Sequence, residues 1–145
     1  MADETIGDEA ARLAQVALDQ PAFSRDLGIT LTEWSKDRVT GELRVTERLS
    51  NRNGVMHGGA VMALGDNMGG TFASLHLQPG QMTTTLESKT NFLRAIPLGE
   101  TATATATALH VGRRTIVVET RISRADGKVA AIVTQTQMMI PRERD

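Results

Sequence analysis

The spacing of apolar residues divides the chain into segments of helical and strand period. Over the first twenty residues Ala10, Leu13, Val16 and Leu18 make a loose stripe at helical spacing, and Pro21 is placed to end that helix. LGITLTEW (27–34) and RVTGELRV (38–45) then alternate, which predicts two strands joined at SKD, with Val39, Leu43 and Val45 on one face. LSNRNGVM (49–56) is a polar connection with Asn-Gly turn chemistry. A long apolar run, about His57 to Leu77, predicts a helix that QPGQ (78–81) breaks. From there the period is two. MTTTLESKTNFL, ETATATATALHV, TIVVETRIS and KVAAIVTQTQMMI predict four more strands, separated by AIPLG, GRR and the Asp-Gly hairpin signal of RADG. In TATATATA the threonines face solvent and the alanines face something packed close, so a helix can lie near the sheet there.

Six mostly antiparallel strands need one face covered, and the 57–77 helix is the one element long and apolar enough to cover it. The expected class is α+β: a curved, antiparallel, six-stranded sheet wrapped around a long central helix. The expected organisation is one domain over 25–141, preceded by a helix and lead-in (1–24) and followed by a tail (142–145).

Composition narrows the chemistry. The 145 residues are 40% apolar but only 3% aromatic, so the core is aliphatic. A net charge of −1, with no basic block and no aromatic–basic interleaving, argues against nucleic acid as a partner. There is no cysteine, which excludes disulfides, thiolate metal sites and a cysteine nucleophile. The three histidines lack metal-ligand spacing, so no metal is expected, and no G-x-S-x-G marks a serine hydrolase. The N-terminus is acidic without a long apolar run, and no stretch is long enough to span a membrane, so a cytoplasmic protein is expected.

The stretch NGVMHGGAVMALGDNMGG (53–70) carries the candidate chemistry. Asp66 falls among Val61, Met62, Leu64, Met68, Phe72 and Ala73, where burying a charge is costly unless it is solvated or paired. One reading is a break at Gly65-Asp66-Asn67, with Asp66 capping a second helix. The other is a carboxylate lining a cleft, able to act as base or nucleophile. His57-Gly58-Gly59 lies at the front of the helix, where free N–H groups and the helix dipole favour developing negative charge, as an oxyanion hole requires. The nine residues from His57 to Asp66 make about 13.5 Å of helix rise, so Asp66 and the Gly58 N–H of one chain cannot share one carbonyl. If both are catalytic they come from two chains, and the chain is an obligate homodimer with sites across the interface.

These residues resemble the hotdog-fold acyl-CoA thioesterases, in the branch of the phenylacetate-pathway and 1,4-dihydroxynaphthoyl-CoA enzymes. Asn51, HGG at 57–59 and Asp66 carry the likeness. It continues through TTTLESKTNFLRA (83–95), LGE (98–100), LHVGRR (109–114) and DGK (126–128), and spans about residues 25 to 140. The resemblance implies hydrolysis of acyl-CoA, of aromatic or medium-chain acyl class, with no separate cofactor. It implies that the Gly58 N–H polarises the thioester carbonyl and that Asn51 places the carbonyl or the water. His57 orders the loop, and Asp66 of the partner subunit acts as nucleophile or general base. Thr85 steadies the water. Arg94, and less directly Arg113 and Arg114, meet the CoA phosphates, while Gly59 and Met82 contact substrate. The family precedent favours a tetramer. Relatives of the dihydroxynaphthoyl type carry Glu in place of Asp66, and many carry Ser or Thr where this chain has Gly70. That departure leaves a non-catalytic acyl-CoA-binding protein as the alternative.

Overall fold

The computed structural model describes residues 2–142, with side chains from residue 7 onward. Helices α1 (Ala2–Leu18) and α2 (Ala22–Leu27) lead into strands β1 (Thr30–Trp34) and β2 (Val39–Arg44). A 3-10 turn (Glu47–Leu49) precedes the central helix α3 (Gly58–Ser74). Strands β3 (Gln81–Phe92), β4 (Thr101–Val111), β5 (Thr115–Ser123) and β6 (Val129–Pro141) complete the chain. All six strands form one antiparallel sheet in the order β1-β2-β4-β5-β6-β3. The chain therefore leaves β2, crosses the sheet as α3 and returns at the far edge as β3. This is the hotdog architecture, and it agrees with the expected fold class.

The core sits between α3 and the concave face. Leu64, Met68 and Phe72 of α3 are fully buried, and burying each such side chain is worth roughly 1.5–3 kcal/mol. Opposite them Ala102, Ala104 and Ala106 of β4 are also fully buried, while the intervening threonines lie half-buried on the outer face. The small residues let the helix sit low on the sheet. Two glycines do the same from the helix side. A Cβ on Gly65 would come within 2.5 Å of Val133 Cγ2, and one on Gly69 within 2.0 Å of Gln135 Oε1. These glycines are close-approach residues, not a break, and α3 runs unbroken through Gly65-Asp66-Asn67. Of the two readings of Asp66, the break with a second helix is thus excluded.

Other details differ from the sequence reading. Leu27 belongs to α2, a six-residue helix between Pro21 and Gly28 (φ 86°), so the first strand begins at Thr30. The central helix ends at Ser74; Leu75 to Leu77 continue only as tighter turns, with His76 N–H bonded to Ala73 and Leu77 N–H to Ser74. On α1, Leu13 and Val16 pack on the core and Ala17 is fully buried, but Leu18 is exposed. No helix among the described residues is long and apolar enough to cross a membrane.

Candidate active site

The N-terminus of α3 is built by its cap. The His57 N–H donates to the Leu49 carbonyl at 2.7 Å, and its own carbonyl accepts from Ala60 and Val61. His57 Nδ1 accepts the Gly59 N–H at 2.9 Å, so that nitrogen carries a lone pair and the ring proton is on Nε2. This leaves the Gly58 N–H, which has no partner among the described residues, as the open donor at the positive end of the helix. Asn51 stands beside it. Its Oδ1 accepts from the N–H groups of Asn53 (2.9 Å) and Val55 (3.5 Å), a turn that commits the oxygen and leaves Nδ2 without a partner among the described residues. Asn51, Gly58, Phe92, Arg94 and Ile96 line a cavity of about 430 Å³. Arg94 is tethered at its rim by an Nη1 bond to the Val129 carbonyl at 2.7 Å.

Asp66 lies eight residues further along α3, about 12 Å in rise. The buried positions Val61, Leu64, Gly65, Met68, Gly69 and Phe72 define the inward face, and Met62 and Asp66 project from the exposed flank beside it. Asp66 is exposed in the single chain, so its charge stays solvated although its sequence neighbours are apolar. It lines a separate cavity of about 750 Å³, together with Asn67, Gly70, Thr83, Thr85 and Gln137. No lining residue is common to the two cavities. Asp66 Oδ1 accepts from Gln135 Nε2 at 3.1 Å, and Thr85 Oγ1 accepts from Gln137 Nε2 at 2.7 Å. The register of β3 on β6 shifts between Thr85 and Glu87, so Leu86 bulges outward beside the cavity.

The structure thus gathers Asn51, His57, Gly58, Gly59 and Arg94 at the N-terminal end of α3 and places Asp66, with Thr85, at the middle of the helix. Arg113 and Arg114 are exposed in the β4–β5 hairpin, at the end of the sheet where the Arg114 carbonyl accepts from Met139 N–H. That is the opposite end from Arg94. Met82 is partly exposed on β3 and lines neither cavity. His76 stacks on Phe72, and Glu87 accepts from Thr136 on the outer face. No cluster of three His, Cys, Asp or Glu that could hold a metal occurs among the described residues. The sequence reading singles out neither Gln135 nor Gln137. The signal was present: TQTQ puts two amides on the inward period of β6, directly after Ala131 and Val133.

The chain is similar to known proteins in both sequence and fold. The profile of the Thioesterase superfamily matches residues 53–131, more than half of the chain. The chain is 30% identical to the 1,4-dihydroxy-2-naphthoyl-CoA hydrolase of Listeria monocytogenes over 106 residues, 73% of this chain and 85% of that protein. Among solved structures, a variant of a Pseudomonas aeruginosa thioesterase superposes with a TM-score of 0.82 at 30% identity, covering 89% of this chain and 94% of that one. The PaaI protein from the phenylacetic acid degradation operon of E. coli superposes with a TM-score of 0.81 at 25% identity, covering 93% and 96%.

Proposed function

The chain belongs to the thioesterase superfamily, and from that premise we propose that it hydrolyses acyl-CoA thioesters to the free acid and CoA at sites shared between two subunits. The observation that carries this reading is the division of one chain into two half-sites. A helix N-terminus with a free N–H and a placed asparagine amide stands at one end of α3, and a carboxylate with a hydroxyl about 12 Å along, at the middle of the helix. Antiparallel pairing of two α3 helices about a two-fold axis that passes near Met62, midway between Gly58 and Asp66, brings each donor end against the partner's carboxylate. The edge strand β3 supports such pairing. It bonds only to β6 among the described residues and exposes Leu86 and Phe92, an open apolar edge of the kind that free monomers avoid.

In this arrangement the Gly58 N–H and Asn51 Nδ2 donate to the thioester oxygen and stabilise the charge it acquires in the tetrahedral intermediate. Asp66 of the partner subunit takes the proton of a water that attacks the carbonyl carbon, or attacks that carbon itself to give, once the thiolate has left, a mixed anhydride that water then hydrolyses to the free acid; Thr85 holds the water. Collapse of the intermediate breaks the C–S bond and releases CoA as thiolate, which is then protonated. A cavity of about 750 Å³ is of the size that takes an aromatic or medium-chain acyl group. Arg94, with Arg113 and Arg114 brought across from the partner, supplies cations for the CoA phosphates.

The test is thiol release from a panel of aromatic and straight-chain acyl-CoAs, for wild type and Asp66→Asn. The proposal expects turnover of one class and a loss of about a hundredfold or more in the variant. Binding without turnover in wild type would make the chain an acyl-CoA-binding protein instead.

A further inference from the structure

The inward positions of β6 run Ala131, Val133, Gln135, Gln137. The last two are 0% and 1% exposed, in a slot where an aliphatic side chain would complete the core. Each amide instead engages one side chain of the carboxylate half-site. Gln137 is fully occupied: its Oε1 accepts from Thr83 Oγ1 at 2.9 Å and its Nε2 donates to Thr85 Oγ1 at 2.7 Å. Gln135 is occupied at one end only. Its Nε2 donates to Asp66 Oδ1 at 3.1 Å. Its Oε1, pressed beneath Gly69, is buried and has no partner among the described residues.

A buried carbonyl without a donor destabilises the fold. Turning the amide over would not relieve it, because that oxygen would then face the Asp66 carboxylate, acceptor against acceptor. The arrangement makes sense if what matters is the N–H aimed at Asp66. Resting on the reading of Asp66 as the hydrolytic carboxylate, we propose that Gln135 and Gln137 are positioning residues that set the two reacting side chains of this half-site. Gln135 fixes the direction of the carboxylate from below, against a helix held low by Gly65 and Gly69. Gln137 makes Thr85 an acceptor, so the Thr85 proton is left to be donated into the cavity. Neither glutamine touches substrate.

The experiment uses Gln135→Met, which keeps the volume of the side chain and removes its donors. Steady-state thiol release is measured alone and in an Asp66→Asn background, with circular dichroism to confirm the fold. We expect kcat to fall about tenfold or more in the single variant with KM within roughly twofold, and no further loss when Asp66→Asn is already present. Gln137→Met is expected to behave the same way toward Thr85→Ala. Should Gln135→Met not fold, Gly69→Ala displaces the same amide from above and is read identically. A folded Gln135→Met with wild-type kcat, or an equal additional loss on top of Asp66→Asn, overturns the inference and makes Gln135 a packing residue. A wild-type rate in Asp66→Asn itself overturns the underlying reading, and is seen as a separate result.

Discussion

Replacing Gly65 by alanine tests how the central helix is held. Alanine in a helix interior is favoured over glycine by about 1 kcal/mol, so propensity alone predicts a more stable protein. Packing opposes it. The new Cβ would meet Val133 Cγ2 at 2.5 Å, Cβ at 3.0 Å and Cγ1 at 3.1 Å. Val133 is 1% exposed, and a β-branched side chain on a strand has little freedom to turn away. Overpacking costs about 1–3 kcal/mol, and a 2.5 Å contact falls in the upper part of that range, about 2–3 kcal/mol, which outweighs the propensity gain and leaves a net loss on the order of 1–2 kcal/mol. For a chain of this size that lowers Tm by roughly 3–6 °C. Gly70→Ala is the control in the same helix, since nothing lies within 4 Å of its Cβ; propensity acts alone there and Tm should rise by about 2–4 °C. Both are measured by calorimetry at one protein concentration. Truncating the neighbour in Gly65→Ala/Val133→Ala should recover part of the loss, giving non-additive terms. A Gly65→Ala protein as stable as wild type would refute the claim that α3 rests directly on β6.

Further outcomes follow from the half-sites. Asn51→Ala removes the free amide donor and should lower kcat by about 10²-fold in thiol release, with the fold kept. Thr85→Ala should lower kcat on the order of tenfold while Thr85→Ser, which keeps the hydroxyl, stays within about twofold of wild type. Light scattering behind size exclusion should give four times the 15.6 kDa chain mass; a monomer would leave each cavity with half of its chemistry.

The later strands, the central helix and its approach to the alanine face were legible in the sequence because they rest on local periodicity. So was the separation of Gly58 from Asp66, which is a matter of helical rise. What stayed hidden was set by long-range packing. The six residues of α2 are too few to show a period after Pro21. The placement of β3 beyond β6 depends on α3 crossing the sheet. Asp66 looked buried because its sequence neighbours are apolar, yet the helix turns it outward. Gly65 and Gly69 resembled a helix break for want of the β6 side chains beneath them. Gln135 and Gln137 carried a readable signal, two amides in an inward period, but their partners lie 69 and 52 residues away.

The claim that each site is built from two subunits is tested most directly by mixing two inactive variants. Gly58→Pro removes the oxyanion N–H at the first helical position, where proline is tolerated, and His57 (φ −63°, ψ 138°) already has the backbone that precedes a proline. Asp66→Asn removes the carboxylate. Neither alone should hydrolyse acyl-CoA at a rate near wild type. After joint denaturation and refolding, each mixed dimer holds one intact site and one doubly damaged one, and random pairing restores about a quarter of wild-type activity. Recovery to that level is the result predicted here. A mixture no more active than its components would contradict the shared site.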